Sequence, residues 1–330
     1  MPPGFFASER RISNLQVCSN LAAVKTIRFN LHAIAPFRLD LTVWVLRRRQ
    51  ANRIDSWNGQ TYRRAMILGS QNVVVSVEQN GSADQAELDV TLACEKPSPL
   101  TKQAAEPALV RLLGLHIDMS GFYAMAQADA HLRPLVERFT GMKPPLYPTL
   151  FESIANAIIF QQISLDAGIS ILNRLAAAFG TPFDCGKERF FLFPEASFIA
   201  GLSPEEIKRV GMSANKARAL VEGAQRITKL TLSLEGLEKM DNESAFAELV
   251  KFRGIGRWSA DYVLLRGLGR VDVFPRGDIG ARAGLNRWLK ADGRLSDTEI
   301  EDIMSKWHGY GGLVYFHLLL NGLAEKGFIM

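Results

Sequence analysis

The stretch from Ala245 to Leu289 decides the fold, and it reads AFAELVKFRGIGRWSADYVLLRGLGRVDVFPRGDIGARAGLNRWL. Apolar residues recur at helical spacing before Gly254-Ile255-Gly256 and resume the same spacing after it. A third segment with helical spacing begins after Asp278. The pattern predicts a helix, a tight glycine turn, a second helix, a short loop and a third helix.

The glycine turn has the features of a phosphate-binding site. Bare backbone at Gly254 and Gly256 permits positive φ and the close approach of an anion, and the start of the second helix adds its positive dipole. Residues 251–294 contain ten Lys or Arg against four Asp, a net charge of +6 in a chain whose total is +5. A basic segment beside an anion site is typical of contact with a nucleic-acid backbone. Gly254, Gly256 and Arg257 are therefore the predicted phosphate-binding residues.

Asp278 is the carboxylate that the pattern singles out within this basic segment. It follows Phe274-Pro275-Arg276-Gly277 and precedes a predicted helix, so a helix N-cap is the ordinary interpretation of a lone Asp here. Its spacing from the glycine turn and from Trp258 favours an additional chemical role. A glycine hairpin by itself is a weak signal, whereas a hairpin followed by an aspartate at this distance is a specific one.

These motifs resemble those of the helix-hairpin-helix DNA glycosylases that carry a Gly/Pro-rich loop and an aspartate, the HhH-GPD family. The likeness lies in FRGIGRWSADYVLLRGLG, VFPRGDIGARAGL and ESIANAIIFQQISLDAGISILNRLAAAFG, and it extends over residues 103–326. Within the family it is closest to the 3-methyladenine DNA glycosylases of type II. The resemblance implies a base excision repair enzyme that flips alkylated bases, of the 3-methyladenine and 7-methylguanine type, out of duplex DNA and hydrolyses the N-glycosidic bond.

The resemblance also implies roles for particular residues. Asp278 is the expected catalytic carboxylate, which stabilises the cationic sugar and activates the water. Trp258 and Tyr262 lie four residues apart on one helical face and are the expected base pocket. Gln162, in the turn Gln161-Gln162-Ile163-Ser164, is the expected wedge that fills the gap left by the flipped nucleotide. Lyase-competent relatives carry a nucleophilic lysine where this chain has Trp258, so we expect a monofunctional hydrolase.

The predicted fold is α+β, with a small antiparallel sheet domain followed by a mostly α-helical glycosylase core. Alternation of apolar and polar residues predicts strands between Val24 and Cys94, including one over 37–45, with turns at Asn58-Gly59 and Asn80-Gly81. Arg47-Arg48-Arg49 would then lie where the second strand ends, and a solvated strand edge explains them better than the alternative, a contact with the DNA backbone. In similar glycosylases the N-terminal sheet domain resembles half of a TATA-binding protein and is mainly structural.

The domain prediction divides the chain into three parts. They are an irregular segment at 1–23, the sheet domain at 24–102, and the helical domain at 103–330, with the helix-hairpin-helix at about 245–268 and the catalytic loop at 272–280.

Composition is that of a globular protein, with 47% hydrophobic and 22% charged residues. No stretch is apolar enough for a signal peptide or a membrane span. Cys18, Cys94 and Cys185 lie far apart, so we expect no disulfide framework, no zinc site and no iron–sulfur cluster of the kind found in related endonuclease-type glycosylases. The expected location is the cytoplasm of a bacterial-type cell, in association with the nucleoid.

The expected partner is double-stranded DNA that contains damaged bases, bound by a monomer without any membrane contact. We expect no cofactor and no metal at the reaction centre. Carbonyl groups of the hairpin and a DNA phosphate could nevertheless hold a monovalent or divalent cation between them.

Two other interpretations remain open at this stage. A non-catalytic helix-hairpin-helix DNA-binding module would need the glycines and the basic segment, but neither Asp278 nor an aromatic pocket. A bifunctional 8-oxoguanine-type glycosylase with lyase activity would need a Schiff-base lysine, and Trp258 at the matching position disfavours it.

Overall fold

The computed structural model describes residues 24–329, which begin with a five-stranded antiparallel sheet in the order β1-β5-β4-β3-β2. The strands are β1 (Lys25–His32), β2 (Ser56–Trp57), β3 (Thr61–Leu68), β4 (Gln71–Asn80) and β5 (Glu87–Cys94). The turns at Asn58-Gly59 and Asn80-Gly81 follow β2 and β4, as predicted. The predicted irregular segment at 1–23, with Cys18, lies outside the described residues.

The strand predicted over 37–45 is wrong, because this segment forms the helix α1 (Leu39–Arg47). All residues of α1 except Asp40 are buried. The helix has two buried faces, each at helical spacing: Leu39, Val43 and Leu46 pack with the sheet, and Leu41, Trp44 and Val45 pack with the C-terminal helices. Because both faces of α1 are buried, its apolar residues do not show a single period of 3.6 along the sequence. The β-branched and aromatic residues of α1 are also common in strands, so the pattern favoured a strand.

The predicted strand edge at Arg47-Arg48-Arg49 is therefore also wrong. Arg47 and Arg48 are only 4% and 5% exposed. Arg47 donates from Nη1 to the carbonyl of Trp57 and from Nη2 to that of Gln50, both at 2.7 Å, which closes the end of α1. Arg48 has a φ of +55° and leaves the helix toward the helical domain.

The rest of the described chain is helical apart from one short hairpin, β6 (Pro182–Cys185) and β7 (Glu188–Phe191), which packs on the face of the sheet opposite α1. The helices are α2 (Pro99–Leu113), α3 (Ser120–Ala128), α4 (Leu132–Arg138), α5 (Leu150–Ile159), α6 (Leu165–Phe179), α7 (Ala196–Ala200), α8 (Pro204–Lys208), α9 (Ala214–Thr228), α10 (Leu234–Glu238), α11 (Asn242–Val250), α12 (Arg257–Gly267), α13 (Ile279–Leu289), α14 (Asp297–Lys306) and α15 (Gly311–Ala324). None of the helices within 24–329 is long and apolar enough to cross a bilayer.

The sheet and the helical part are joined through packing and charge. The predicted boundary at residue 102 lies inside α2, which packs on the sheet through Leu109 and Leu112. Arg64 of β3 contacts Asp55 at 2.7 Å and Glu152 of α5 at 2.5 Å, and all three side chains are buried. Removal of one member of such a cluster leaves an uncompensated buried charge, which costs about 3–5 kcal/mol.

Helix capping follows the sequence, with one difference caused by this ion cluster. Ser203 with Glu206 and Ser296 with Glu299 form complete reciprocal capping boxes. Thr149 accepts from the backbone N–H of Glu152, but the Glu152 carboxylate binds Arg64 instead of returning to the helix end.

Two apolar cores fill the helical part. The first contains residues of α5, α6, α9 and α12, and the second contains residues of α1, α4, α13 and α15. A cleft lies where these two groups of helices meet.

Candidate active site

The helix-hairpin-helix is present as α11, a turn and α12, followed by α13. Gly254 has a φ of +78°, and an added Cβ there would lie 2.9 Å from the Cβ of Ala219. Gly256, the N-cap of α12, has a φ of −97°, so the expectation of positive φ holds for Gly254 and is wrong for Gly256. Apart from Gly256 and the backbone next to it in the chain, no heavy atom of residues 24–329 lies within 4 Å of where a Gly256 Cβ would be. The first turn of α12 is therefore open to a ligand such as a phosphate.

Much of the positive charge in 251–294 is paired once the chain is folded. Five of the ten cations form ion pairs with carboxylates outside this segment: Lys251–Glu248, Arg253–Glu222, Arg276–Glu301, Arg282–Asp297 and Arg287–Glu325. The net charge of the segment is thus not a continuous positive surface. Exposed ion pairs are worth about 0–1 kcal/mol each, so a phosphate can compete for these cations. Arg257 is exposed at the first position of α12, with its guanidinium 5.3 Å from the ring of Phe246.

A cleft of about 1110 Å³ opens beside the start of α12. Its walls come from the turn between α5 and α6, from α12, α13 and α15, and from the residues that follow α1. The predicted site residues that line it are Gln162, Gly256, Arg257, Trp258, Tyr262 and Asp278. Gly254 lies outside the cleft lining. Small-molecule sites usually measure about 300–1,000 Å³, so this cleft has room for a nucleotide.

Asp278 is held by hydrogen bonds to both of its carboxylate oxygens. Oδ1 accepts from the backbone N–H of Ala281 at 2.8 Å, which caps α13, and Oδ2 accepts from Nε1 of Trp258 at 3.0 Å. Gly277 permits this approach, because a Cβ there would lie 3.0 Å from the Cβ of Trp258. Each oxygen keeps a further lone pair. The N-cap interpretation and a place in the cleft are therefore compatible.

Trp258 and Tyr262 lie on one face of α12 with their ring centroids 5.5 Å apart. Trp258 is half-buried in the cleft wall, whereas Tyr262 is only 1% exposed and forms the floor. The hydroxyl oxygens of Tyr262 and Tyr147 are 2.7 Å apart. Burial raises the pKa of the Tyr147 hydroxyl, so this phenol stays protonated.

Arg48 reaches this floor from the end of α1. Its Nη1 donates to the hydroxyl of Tyr262 and its Nη2 donates to Oδ1 of Asn156, both at 3.1 Å. The guanidinium carbon lies 4.1 Å from the ring centroid of Phe160. Arginine keeps its proton in proteins. A cation therefore lies at the buried end of the cleft.

The turn that carries Gln162 is fixed to its neighbours. Gln162 is exposed and has a φ of +52°, which is uncommon for a residue other than glycine. The adjacent Gln161 donates from Nε2 to the carbonyl of Gly254 at 2.6 Å and to Oγ of Ser259 at 2.7 Å. Lys216 of α9 donates from Nζ to the carbonyl of Gln161 at 2.6 Å. The predicted wedge is thus presented by a turn that is tied to the hairpin.

Asp261 is a buried carboxylate of α12 that sequence reasoning did not single out. It is 7% exposed, and it does not belong to the cleft lining within the described residues. Burial raises its pKa to about 6, although the positive charges of Arg257 and Arg276 act in the opposite direction. Within 24–329 no group of three or more His, Cys, Asp or Glu side chains is placed to hold a metal ion.

Sequence reasoning also missed three residues that line the cleft, namely Arg48, Phe160 and Tyr315. Phe160 directly precedes the wedge turn, which was an available signal. Tyr315, Leu318 and Leu319 have the spacing of one helical face, although a core helix shows the same spacing. Burial, followed by the negative charge of Asp278, raises the pKa of Tyr315. Arg48 had no local signal, since it lies among three consecutive arginines.

Two family models match the chain, and together they cover most of it. The model described as HhH-GPD superfamily base excision DNA repair protein matches residues 155–309. The model of the AlkA N-terminal domain matches residues 28–147. The first range contains the wedge turn, the hairpin and Asp278, and the second contains the sheet and α1.

Individual relatives agree with these models. DNA-3-methyladenine glycosylase of Bacillus subtilis (strain 168) is 30% identical over 201 residues, which are 61% of this chain and 66% of the relative. DNA-3-methyladenine glycosylase 2 of Escherichia coli (strain K12) is 33% identical over 136 residues, 41% of this chain and 46% of the relative. The chain thus spans less than two thirds of the length of either relative.

A solved structure extends the likeness over nearly the whole fold. The 3-methyladenine DNA-glycosylase from Archaeoglobus fulgidus matches with a TM-score of 0.78 and 26% identity, covering 88% of this chain and 97% of that chain. On the two family models taken together, the chain belongs to the HhH-GPD superfamily of base excision DNA repair proteins and carries an AlkA-type N-terminal domain.

Proposed function

We propose that the protein is a monofunctional DNA glycosylase that removes alkylated purines, of the 3-methyladenine and 7-methylguanine type, from double-stranded DNA. The observation that carries this proposal is the Asp278 carboxylate, fixed by Ala281 and Trp258 at a cleft of nucleotide size. The relatives named as 3-methyladenine glycosylases support the substrate class.

In this proposal the duplex binds across the hairpin and the wedge turn. A phosphate accepts hydrogen bonds at the open start of α12, beside Gly256 and Arg257. Gln162 enters the space left in the stack when the damaged nucleotide turns into the cleft, at an unstacking cost of a few kcal/mol. Because Gln161 ties this turn to the hairpin, the two contacts are made at a fixed spacing.

The chemistry is assigned to Asp278. As the bond between C1′ and the base nitrogen breaks, its electron pair leaves with the base, and a cationic alkylpurine departs neutral. The sugar becomes cationic and is stabilised by the nearby carboxylate. Water then adds to C1′ and its proton passes to Asp278. An alkylated base is already an activated leaving group, so no strong general acid is needed.

The monofunctional part of the proposal rests on side-chain chemistry at the hairpin. Trp258 is the residue of α12 that meets Asp278, and among the cleft-lining residues of 24–329 the one lysine is Lys326, beyond the end of α15.

We propose that no step requires a cofactor, while a cation shared by hairpin carbonyls and a phosphate is compatible with binding. Of those carbonyls, Gly254 already accepts from Gln161. We further propose a monomer that acts in a bacterial-type cytoplasm, with the nucleoid.

Base release from defined duplexes tests the function. Separate duplexes carrying 3-methyladenine, 7-methylguanine, hypoxanthine, ethenoadenine or uracil are incubated with excess enzyme, and the released base is quantified. Release of the alkylated purines is expected. Binding of duplex without release of any base would leave only a DNA-binding module. Covalent trapping by borohydride, which requires a Schiff base, would replace the monofunctional assignment with a lyase.

A further inference from the structure

The buried end of the cleft holds a positive charge that the proposed mechanism does not use. Arg48 is 5% exposed and lines the cleft. Its hydrogen-bond partners are all neutral, namely the oxygens of Tyr262, Tyr147 and Asn156. Its Nε has no hydrogen-bond partner among the described residues. A buried guanidinium without a carboxylate partner is unusual, because its charge is not compensated locally.

Neighbouring groups do not cancel this charge. Arg266 is fully buried beside the same floor, with its guanidinium carbon 5.7 Å from the ring centroid of Tyr262. The buried carboxylates on this side, Asp55 and Glu152, are both bound to Arg64. Neither of these two carboxylates is therefore paired with Arg48 or Arg266.

The aromatic pair connects this cation to the carboxylate of the site. Trp258 donates to Asp278 at 3.0 Å, and Tyr262 accepts from Arg48 at 3.1 Å. A base that lies against the pair therefore has a carboxylate near its sugar and a guanidinium near its far edge. Breaking the bond to a neutral base places positive charge on the sugar and negative charge on the base. The arrangement of Asp278 and Arg48 stabilises that separation.

We propose that Arg48 tunes specificity by charge: it raises activity on neutral purine lesions with an acceptor atom, such as hypoxanthine with its O6, relative to activity on cationic alkylpurines. This inference rests on the proposed glycosylase function and refines its substrate class. In both kinds of lesion the same electron pair moves onto the base. The base of a cationic lesion therefore carries one more unit of positive charge than the base of a neutral lesion, both before and after the bond breaks. The positive charge of Arg48 disfavours the base with the additional charge. A neutral base departs as an anion and then takes a proton from solvent.

The experiment compares hypoxanthine with 7-methylguanine at one ionic strength. Steady-state and single-turnover kinetics are measured for the wild type, Arg48→Met and Arg48→Lys, with thermal unfolding as the folding check. In Arg48→Met the ratio of kcat/KM for hypoxanthine to that for 7-methylguanine should fall at least about tenfold, which is about 1.4 kcal/mol. The single-turnover rate should fall for both lesions. Arg48→Lys keeps the charge and should keep the ratio within about threefold.

Arg49 provides the matched control. It is the adjacent arginine, it also lines the cleft, and its charge is paired with Asp166 at 2.9 Å. Arg49→Met should lower kcat/KM for both lesions by the same factor, because it affects binding of the duplex and not the charge of the base.

Several outcomes would overturn the inference. An unchanged ratio in a folded, active Arg48→Met protein would do so, and so would a shift of the ratio in Arg48→Lys equal to that in Arg48→Met. If Arg48→Met does not fold, Arg48→Gln is measured in its place, because the amide can still donate to Tyr262 or Asn156 but carries no charge. An unchanged ratio in Arg48→Gln contradicts the inference. Absence of base release from every lesion would instead refute the proposed function, and this inference with it.

Discussion

Asp278→Asn is expected to abolish most base release while leaving the fold and the binding of duplex near normal. Asn is as good an N-cap as Asp, so its carbonyl oxygen can still accept from Ala281. The amide nitrogen then meets Nε1 of Trp258, where two donors face each other. Loss of that bond should cost about 1–3 kcal/mol of stability, which an ordinary domain tolerates.

The effect on the rate follows from the lost charge. A carboxylate about 4 Å from a unit positive charge on the sugar contributes about 4 kcal/mol at an effective dielectric constant of about 20. That corresponds to roughly a thousandfold loss in the single-turnover rate of base release. Duplex affinity should be unchanged or slightly higher, because a negative charge near phosphates is removed.

Asp241 supplies a matched control. It caps α11 through the backbone N–H of Ser244 at 2.7 Å and has no place in the cleft. Asp241→Asn makes the same chemical change at the same kind of helix position and should leave base release unchanged. Retention of base release within tenfold of the wild type in Asp278→Asn, about 1.4 kcal/mol of barrier, would remove Asp278 from the mechanism.

Three further predictions concern the phosphate site at Gly256, the aromatic pocket and a buried carboxylate. Gly256→Ala should weaken duplex binding about tenfold, about 1.4 kcal/mol, because a methyl group fills the space open to a phosphate; anisotropy titrations measure this. Trp258→Ala should lose a few-fold to about thirtyfold more kcat/KM on 7-methylguanine than on hypoxanthine, since a ring attracts a cation by about 0.5–2 kcal/mol. Asp261→Asn should raise the free energy of unfolding by roughly 1–3 kcal/mol at pH 7.5 and leave it unchanged near pH 3.5. In the folded protein the pKa of Asp261 is raised from 3.8 to about 6, so the stability contributed by protonated Asp261 is lost as pH rises through that value. Denaturant unfolding at both pH values measures this loss.

Each of these predictions has an outcome that contradicts it. An unchanged binding constant for duplex in folded Gly256→Ala would contradict a phosphate site at the start of α12. Gly254→Ala, in contrast, should lose stability because Gly254 has a positive φ. Equal losses on both lesions would mean that Trp258 does not sense charge. Trp258→Phe keeps a ring without the bond to Asp278, and it should lower the rate with less change in preference. If Asp261→Asn raised the free energy of unfolding by the same amount at both pH values, titration of the Asp261 carboxyl would be excluded as the cause.

The elements that local spacing determines were predictable. The hairpin, the N-cap at Asp278 and the helix that follows it depend on residues within a few positions of one another, and the structure confirms these elements. The strand predicted over 37–45 was wrong because α1 is covered on both sides, by the sheet and by α15, so its burial has no period to detect.

What could not be predicted depends on contacts between distant parts of the chain. Arg48 meets Tyr262, 214 positions away, and nothing near Arg48 in the sequence marks that contact. The positive charge of 251–294 was visible in the sequence, but its neutralisation was not, since partners such as Glu222 of α9 and Glu325, just after α15, lie outside this segment.

The ion cluster between β3 and α5 bears on how this protein can change over evolutionary time. A shorter descendant without residues 24–102 would retain Glu152 inside α5 but lose Arg64 and Asp55, and the carboxylate would face the core alone. The same deletion would remove Arg48 from the floor of the cleft. The sheet is therefore tied to the helical part and to the pocket by buried charges. A variant of this chain without the sheet must also replace Glu152 and rebuild the floor of the cleft.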